Sequence, residues 1–265
     1  MISTEELLRL ADLHFAESHR EHARFTDSFA VIEEPGFLLA SAGTRSPVVP
    51  FNVAMRVGPH GGDPVELLDR ARSFFSARQR GFSVQTRAHL DGDLIAACER
   101  SGFPCVTGRA PGMVLTERSR QVPLRADVRC HVIGEADAED FLRVASEAYE
   151  TAGLPAGVTR KFFSQTRRWL APHCRVHVLY EADEPVACGM VLHSHGIAGI
   201  HWVGTLPRMR GRGHAATLMA AMDNRAFDEG ARALVLQASV MGESVYRRMG
   251  WREITEYPSF VATTP

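Results

Sequence analysis

The sequence has few cysteines, a single lysine and no long apolar run near its start. None of its five cysteines forms a Cys-x-x-Cys pair, which argues against a cysteine-based metal site and suits a reducing compartment. Residues 1–15 mix acidic and polar residues with apolar ones, without the cationic segment and apolar core of a secretory signal. They therefore predict neither a signal peptide nor a membrane span, and we expect a cytoplasmic protein.

No charge of one sign dominates the sequence. The formal net charge is −1, so no overall field would draw the chain to nucleic acid or to a membrane surface. Aromatic and basic residues do not interleave as they do in many nucleic-acid-binding segments. Hydrophobic residues make up 45% and charged residues 23%, as in ordinary globular proteins. We therefore expect neither nucleic acid nor a membrane as a partner.

The most informative stretch runs from residue 200 to residue 222. Ile200 and Trp202 suit a buried strand, and Pro207, which has no N–H for a ladder bond, ends that strand. The last part of the stretch consists of good helix formers with apolar residues at helical spacing. Between strand and helix lies the sequence Arg-Gly-Arg-Gly-His-Ala, residues 210–215, which predicts a tight turn.

This turn is suited to binding phosphate. Gly211 and Gly213 carry no Cβ, so the backbone can turn sharply and approach a ligand closely. The first N–H groups of the following helix have no intrahelical partner, and the helix dipole favours an anion there. Arg208, Arg210 and Arg212 add positive charge and bidentate donors. The stretch therefore predicts a cradle for a diphosphate.

The turn resembles the signature of the GNAT superfamily of acyl-CoA N-acyltransferases. That signature is Arg/Gln-x-x-Gly-x-Gly/Ala, shortly after a strand that ends in Val-x-Pro. Two registers fit, one starting at Arg208 and one at Arg210. We favour the second, because the family's proline precedes the arginine by three residues, as Pro207 does here. Thr205 then stands in place of the family's valine.

The resemblance implies acetyl-CoA as the co-substrate and no metal. It implies that backbone groups at the strand end pair with the pantetheine arm, while the turn and the helix start hold the diphosphate. The residues so implied are Val203, Gly204, Thr205, Arg210, Gly211, Arg212, Gly213, His214, Ala215 and Ala216. The acceptor amine would attack the thioester directly, since no cysteine lies in the motifs.

Residues 239–251 resemble a second family pattern, Asn-x-x-Ala-x-x-x-Tyr-x-x-x-Gly-Phe. Tyr246, Gly250 and Trp251 match it, whereas Ser239 replaces the asparagine as a cofactor-binding residue. The resemblance implies that Tyr246 lies near the thioester sulfur. A phenol has a pKa of about 10 and a thiol one of about 8.5, so Tyr246 could donate a proton or a hydrogen bond to the leaving thiolate.

A general base is harder to assign. Some relatives use a glutamate on the fourth or fifth strand, and this sequence has none there. His201 lies on the fourth strand of the second half, near the expected thioester, and its ordinary pKa suits the role. His193 and His195 flank the preceding turn, and a chain of water molecules is a further alternative. The His-x-His pair has no evident third ligand, so we predict no metal site.

The pattern of helices and strands predicts two domains. Residues 118–127 have little apolar periodicity and mark the boundary, which gives domains 1–122 and 127–265. The second domain has the order βααβββαβαββ, which is that of the GNAT family. We predict an α/β (α+β) protein with two GNAT-like mixed-sheet domains.

A weak internal repeat links the two halves. In each half a helix, a glycine (Gly81 or Gly230), a strand, a second helix and a glycine-aromatic pair follow one another. The first half would then be a degenerate GNAT-like copy, because residues 56–62 do not match the arginine-glycine cradle. We expect one competent site, in the second half.

Two functions fit the sequence. The first is an N-acetyltransferase that moves an acetyl group from acetyl-CoA to an amine of a small molecule or peptide, acting as a monomer or homodimer. Residues 149–160 would form part of the acceptor wall. The alternative is a non-catalytic acyl-CoA sensor or interaction module on a GNAT scaffold, favoured by the missing carboxylate base and the missing asparagine.

Overall fold

The computed structural model describes residues 2–43, 51–58, 61–119 and 127–262. The helices are α1 (Thr4–Arg24), α2 (Pro64–Ser76), α3 (Gly92–Arg100), α4 (Ala138–Glu150), α5 (Ala156–Phe162), α6 (Thr166–Trp169), α7 (His214–Asp228) and α8 (Glu243–Arg248). The strands are β1 (Ala30–Glu34), β2 (Phe37–Ser41), β3 (Asn52–Arg56), β4 (Phe82–Gln85), β5 (Pro111–Leu115), β6 (Val128–Val132), β7 (Cys174–Glu181), β8 (Glu184–Ser194), β9 (Ile197–Thr205), β10 (Leu234–Gln237), β11 (Arg252–Glu256) and β12 (Ser259–Ala262).

Local sequence signals determine where several helices begin and end. Helix α1 begins after Ser3, whose hydroxyl accepts the N–H of Glu6 at 3.1 Å. Helix α2 begins with a proline after Asp63, whose carboxylate accepts two backbone N–H groups of the first turn. Helix α7 is followed by Gly230 at φ 95°, and a backbone bond from Ala231 to Ala226 closes the helix end. Each of these ends agrees with what the local sequence predicts, a capping side chain before a helix or a glycine after it.

The first compact unit comprises Met1–Met113, Gln237–Glu243 and Glu253–Pro265. It contains a five-stranded sheet of order β1-β2-β3-β4-β12, and its core lies between this sheet and helices α2 and α3. Strand β3 runs parallel to β4, while β1, β2 and β3 are antiparallel neighbours.

One strand pairs differently from the prediction. The sequence order predicts that residues 259–263 form a closing strand of the second domain. In the structure, β12 instead pairs antiparallel with β4 in the five-stranded sheet, with Phe260 opposite Val84. Both side chains belong to the core of the first unit. An apolar pattern predicts that a segment is a strand, but it does not predict which sheet has room for its side chains.

The second compact unit comprises Val114–Leu236 and Ser244–Arg252. A seven-stranded sheet has the order β11-β5-β10-β9-β8-β7-β6. Strands β6 to β9 of this unit form an antiparallel meander, and β10 is parallel to β9. The chain order of helices and strands agrees with the GNAT order predicted for the second half. The fold is therefore mixed α/β with two mixed sheets, as predicted.

The apolar spacing of residues 158–170 predicts a single helix, but the structure has two short helices, α5 and α6, in this region. The chain leaves the helical conformation at Phe163, whose carbonyl accepts the indole N–H of Trp169 at 2.9 Å. This bond lets Trp169 fold back into the core. The apolar spacing that suggested one helix therefore comes from two helices that bury adjacent aromatic side chains.

The two halves share an element order. Each has a helical segment, three strands, a helix, a strand, a helix and a strand, and in each the first helix after the third strand connects parallel strands. Common ancestry of the halves stays a prediction. The predicted domain boundary falls largely on residues 120–126, outside the described residues.

Candidate active site

Strand β9 contains a bulge at its centre. Cys188 pairs with Gly204 and Met190 pairs with His201, so Trp202 and Val203 together lie opposite one residue of β8. Trp202 has φ 54°, a conformation that costs free energy for a residue with a bulky side chain. A bulge re-aims the backbone and interrupts the ladder locally.

Side chains of the second unit hold the bulge in place. The Trp202 ring packs against Tyr149, Phe162 and Phe163, with ring centroids 4.8–5.2 Å apart. The Tyr149 hydroxyl donates to the carbonyl of Val203 at 3.4 Å, and the Cys188 thiol donates to the carbonyl of Trp202 at 3.7 Å. These contacts satisfy the carbonyl side of the bulge. Burial raises the pKa of Cys188 well above its ordinary range, so this thiol is a hydrogen-bond donor rather than a nucleophile.

Beyond the start of β9, the sheet opens. The parallel pairing of β9 with β10 covers Ala198 with Leu234 and Gly199 with Val235, although β9 continues to Thr205. Among the described residues, the register between the two strands thus ends at Gly199, and Val203 to Thr205 lie beyond it. An extended ligand with amide groups can pair with the backbone of a strand at such a place.

Helix α7 begins at this opening. Gly213, at φ 86°, precedes its first residue, and no side chain caps the helix start. Gly211 has φ 78°, and a Cβ added at either glycine would meet no atom within 4 Å. The two glycines therefore provide the turn and leave space beside the amides of residues 214–216, which begin the helix and so have no partner within it.

A cavity of about 370 Å³ lies in front of this helix start. It is lined by Thr205, Met209, Arg210, Gly211, Gly213, His214, Ala215, Ala216, Val245, Arg248 and Met249. The fold thus brings the predicted cradle, the end of β9 and helix α8 around one space within the second unit.

The three arginines of the predicted cradle contact protein groups. Arg208 forms ion pairs with Glu147 and Glu184. Arg212 lies 3.5 Å from the carboxylate of Glu181.

The guanidinium of Arg210 stabilises the cradle loop through hydrogen bonds to other protein groups. It donates to Thr151 Oγ1 at 2.7 Å, to the carbonyl of Ala148 at 3.2 Å and to the carbonyl of Thr205 at 3.3 Å. The side chain of Arg210 thereby ties the cradle loop to the end of α4 and the end of β9. His214 is buried, with Nε2 at 3.4 Å from Glu181 but without hydrogen-bond geometry.

Arg248 is a site residue that the sequence did not single out. It lies on α8 and lines the cavity, and within the described ranges its guanidinium has no hydrogen-bond or ion-pair partner. Its position two residues after Tyr246 was the only available signal, and spacing along a short helix does not show which way a side chain faces.

Tyr246 lies on the same helix. Its ring is 6.2 Å from that of Trp251, and its neighbour Val245 lines the cavity. Burial and, to a smaller extent, the charge of Asp223 together raise the pKa of Tyr246 to about 12. The phenol is therefore fully protonated near neutral pH.

The predicted histidines lie in different places. His193 pairs with Ala198 at the start of β9 and contacts Glu229. The cavity lies at the other end of β9, where Thr205 is the last residue of the strand. His195 is exposed in the turn before β9. His201 lies beside the bulge, and burial lowers its pKa to about 4, so its imidazole is neutral at pH 7.

Ser239 has a local structural contact. Its hydroxyl accepts the N–H of Gly242 at 3.2 Å, and its carbonyl accepts the N–H groups of Gly242 and Glu243. The serine therefore shapes the turn that leads into α8.

In the first unit, the corresponding glycines serve packing. A Cβ at Gly62 would lie 2.3 Å from the Phe37 ring, and one at Gly61 would lie 2.7 Å from Cβ of Arg56. Close packing therefore requires glycine at both positions, in contrast to the open space around the glycines of the second unit. Among the described residues, no group of three or more His, Cys, Asp or Glu could hold a metal ion, and no helix is long and apolar enough to cross a membrane.

Sequence comparison identifies the family of the second half. Residues 129–254 match the model of the acetyltransferase (GNAT) domain. This part of the chain belongs to the GNAT superfamily, as its motifs indicated. No curated protein has a sequence that matches the chain.

Solved structures share the fold over nearly the full length. A GCN5-related N-acetyltransferase from Kribbella flavida is 20% identical, with a TM-score of 0.72 and 95% of each chain covered. A GCN5-related N-acetyltransferase from Sphaerobacter thermophilus is 17% identical, with a TM-score of 0.63, covering 86% of this chain and 81% of its own. A conserved protein of unknown function from Staphylococcus epidermidis is 13% identical, with a TM-score of 0.61, covering 90% and 95%. At these identities the likeness concerns the fold.

Proposed function

We propose that the protein is an acetyl-CoA-dependent N-acetyltransferase whose active site lies in the second unit. The observation that carries the proposal is the cavity where the start of α7 meets the end of β9, beyond the register of β9 with β10. A diphosphate needs N–H donors and positive charge, and an amide-bearing arm needs a free strand edge. Both requirements meet in this one place.

Each part of the donor would have its own support. The amides of residues 213–216 would bind the diphosphate, and the backbone of Val203 to Thr205 would pair with the pantetheine arm. Arg248 would add the positive charge, because it lines the cavity and none of the described acidic side chains forms an ion pair with it. Arg210 would act indirectly, by holding the loop in shape.

Tyr246 would stabilise the leaving thiolate after direct attack of the amine on the thioester. With the phenol pKa near 12 and a thiol pKa of about 8.5, full proton transfer would cost roughly 5 kcal/mol. A hydrogen bond from the phenol to the developing negative charge on sulfur avoids this free-energy cost, because the proton stays on the phenol. We therefore assign Tyr246 primarily as a hydrogen-bond donor to sulfur, with protonation completed as the thiol departs.

Proton transfer from the acceptor to His201 is unfavourable. Moving a proton from an ammonium group of pKa about 10.4 to His201, at a pKa of about 4, would cost roughly 9 kcal/mol. This cost disfavours His201 and favours the water chain, or an amine that binds in its neutral form. His201 as base stays a prediction.

The acceptor is proposed to be a small amine or a peptide amine, bound near residues 149–160. The alternative, a non-catalytic acyl-CoA sensor, is favoured by the same weak basicity of His201. Cytoplasmic location and a monomeric or homodimeric state stay predictions.

Two measurements test the proposal. Calorimetric titration with CoA should show one binding site per chain, and incubation of acetyl-CoA with a panel of amines should release free thiol. Binding without thiol release across a broad panel would support the sensor. Absence of CoA binding would contradict both functions.

A further inference from the structure

The first unit contains a groove between strand β1 and helix α2. Strand β1 is the end strand of the five-stranded order, and α2 packs on one face of that sheet. The groove has a volume of about 820 Å³, and Ile32 of β1, Leu39 of β2 and Phe74 of α2 contribute apolar side chains to it. A groove of this size can hold several side chains of a ligand.

The groove exists because α2 does not cover the outermost strand completely. Side chains alternate along β1, and Ala30 packs against the core that α2 covers, so Ile32 and Glu34 lie on the same face as Ala30. Ile32 pairs with Leu39 of β2. Leu39 is 4% exposed, whereas Ile32 is 37% exposed. The helix therefore buries β2 and leaves the neighbouring part of β1 open to solvent.

The start of α2 adds a second exposed apolar side chain to the groove. Val65 lies in the first turn of the helix and is 56% exposed, while Leu67 and Leu68 of the same helix are buried. A single exposed apolar residue is ordinary. Val65 and Ile32, however, line the same groove, and exposed apolar groups with a polar rim are typical of surfaces that bind another protein.

The charged residues of the groove are mostly acidic. Four carboxylates and a single guanidinium line it. The carboxylates belong to Glu34 on β1 and to Asp63, Glu66 and Asp69 on α2, and the guanidinium belongs to Arg70. A cationic partner would complement this rim, and an anionic partner would be repelled by it.

Arg70 shows that the two walls can hold a cationic group between them. Its Nη1 lies 2.5 Å from the carboxylate of Glu34 on β1. Its Nε and Nη2 donate to the carboxylate of Glu66 on α2 at 3.1 Å and 3.0 Å. Carboxylates from both walls thus contact one guanidinium, which is the geometry that a basic side chain of a partner would need.

The other two carboxylates are engaged within α2. Asp63 accepts the backbone N–H groups of Val65 and Glu66, which leaves its negative charge in place. Asp69 forms an ion pair with Arg72 at 3.0 Å, and both side chains are exposed. An exposed pair of this kind contributes little free energy, so a partner's cation can compete for Asp69.

We propose that the groove between β1 and α2 is a docking surface for a basic, amphipathic segment of a partner protein. The apolar side chains of that segment would cover Ile32 and Val65, and its basic side chains would pair with the carboxylates of the rim. One of them would share Glu34 and Glu66 with Arg70, or replace it. This inference concerns the first unit and does not depend on the acetyltransferase assignment of the second.

Fluorescence anisotropy with three labelled peptides tests the chemistry of the occupant. The probe is a peptide of alternating leucine and lysine, which is basic and amphipathic when extended. In one control peptide glutamate replaces lysine, and in the other serine replaces leucine. We expect the leucine-lysine peptide to bind at least about tenfold more tightly than either control. Equal binding of the leucine-lysine and serine-lysine peptides would overturn the proposal, and so would no binding of the probe.

Two arginine variants locate the binding on the groove. Arg70→Gln frees the carboxylates of Glu34 and Glu66 and should tighten binding of the leucine-lysine peptide at least about threefold. Arg72→Gln removes an equally exposed arginine from the same helix, and so changes the net charge by the same amount. If the two variants gain affinity equally, the peptide responds to net charge alone and the proposal is wrong.

Two valine variants test the apolar part of the groove. Val65→Ser should weaken binding of the leucine-lysine peptide at least about threefold, because it removes apolar area from the contact. Val106→Ser is the matched control, since Val106 is 53% exposed in the same unit but does not line the groove. Equal affinities of the two variants would contradict docking in the groove.

Two further measurements exclude other occupants. Spermidine, a small polyamine without a large apolar group, should compete poorly with the peptide, and strong competition would point to a small cation instead. Sedimentation velocity should give the same oligomeric state for the unsubstituted protein and for Val65→Ser. A dimer that this substitution dissociates would make a second copy of the chain the occupant and overturn the proposal.

Discussion

Arg210 donates a hydrogen bond from its guanidinium to the hydroxyl of Thr151, 2.7 Å away at the end of α4. An arginine in a glycine-rich turn at a helix start suggests a phosphate ligand, yet this one bonds to the protein. Its contacts with Ala148 and Thr205 tie the turn to two other elements. The positive charge left to face the cavity is that of Arg248.

Replacing Arg248 should weaken CoA binding. Arg248→Gln removes a charged donor that faces the cavity, and a hydrogen bond to a charged group contributes roughly 1.5–3 kcal/mol. We expect Kd for CoA to rise at least about tenfold in calorimetry. The control is Arg225→Gln, which removes an exposed arginine paired with Glu229. Equal affinities in the two variants would remove Arg248 from the site.

Gly213→Ala should damage the turn before α7. The residue has φ 86°, where a Cβ costs about 1–2 kcal/mol, although the space around it is open. We expect a lower melting temperature and weaker CoA binding, because the helix start must shift. Gly157→Ala, at an open helical position without positive φ, is the control. If the two variants bind CoA equally well, the conformation of Gly213 is not needed for binding.

Gly204→Ala should disturb the end of β9 through steric contact. Its Cβ would lie 2.8 Å from Cβ of Ala148 on α4. Such overpacking costs about 1–3 kcal/mol. Adding Ala148→Gly should restore CoA binding. It should also restore stability, except for the roughly 1 kcal/mol that glycine costs in a helix. Chemical denaturation and CoA titration of the two single variants and the double variant measure this rescue, and strictly additive losses would show that the contact is not the cause.

Tyr246→Phe should reduce turnover while leaving CoA affinity nearly unchanged. Loss of a donor to the developing thiolate should lower kcat at least about tenfold. Tyr180→Phe removes a different hydroxyl, which donates to Asp140, and should have no such effect. Turnover measured with an acceptor from the amine panel decides the matter, and an unchanged kcat for Tyr246→Phe would end its catalytic assignment.

The glycine turn before α7 and most helix ends could be predicted from the sequence, whereas the roles of the turn and of Tyr246 in binding and catalysis stay predictions. Such features depend on residues that are neighbours in the sequence. Asp63 caps the helix that directly follows it, and Gly213 adopts the left-handed conformation of the turn before α7. The family signature is local for the same reason, since a diphosphate site at a helix start uses consecutive amides. Apolar spacing likewise identified the strands of the meander.

Only the folded structure shows which groups these residues contact. Strand β12 pairs with β4, more than 170 residues earlier, and Asp223 bonds to Ser119 from another element. The sequence does not distinguish the cradle arginines from Arg248. The structure does, because Arg208, Arg210 and Arg212 contact other protein groups. Strand pairing, burial and the pKa of a buried group depend on which residues are close together in space. The spacing of residues along the chain does not show which residues these are.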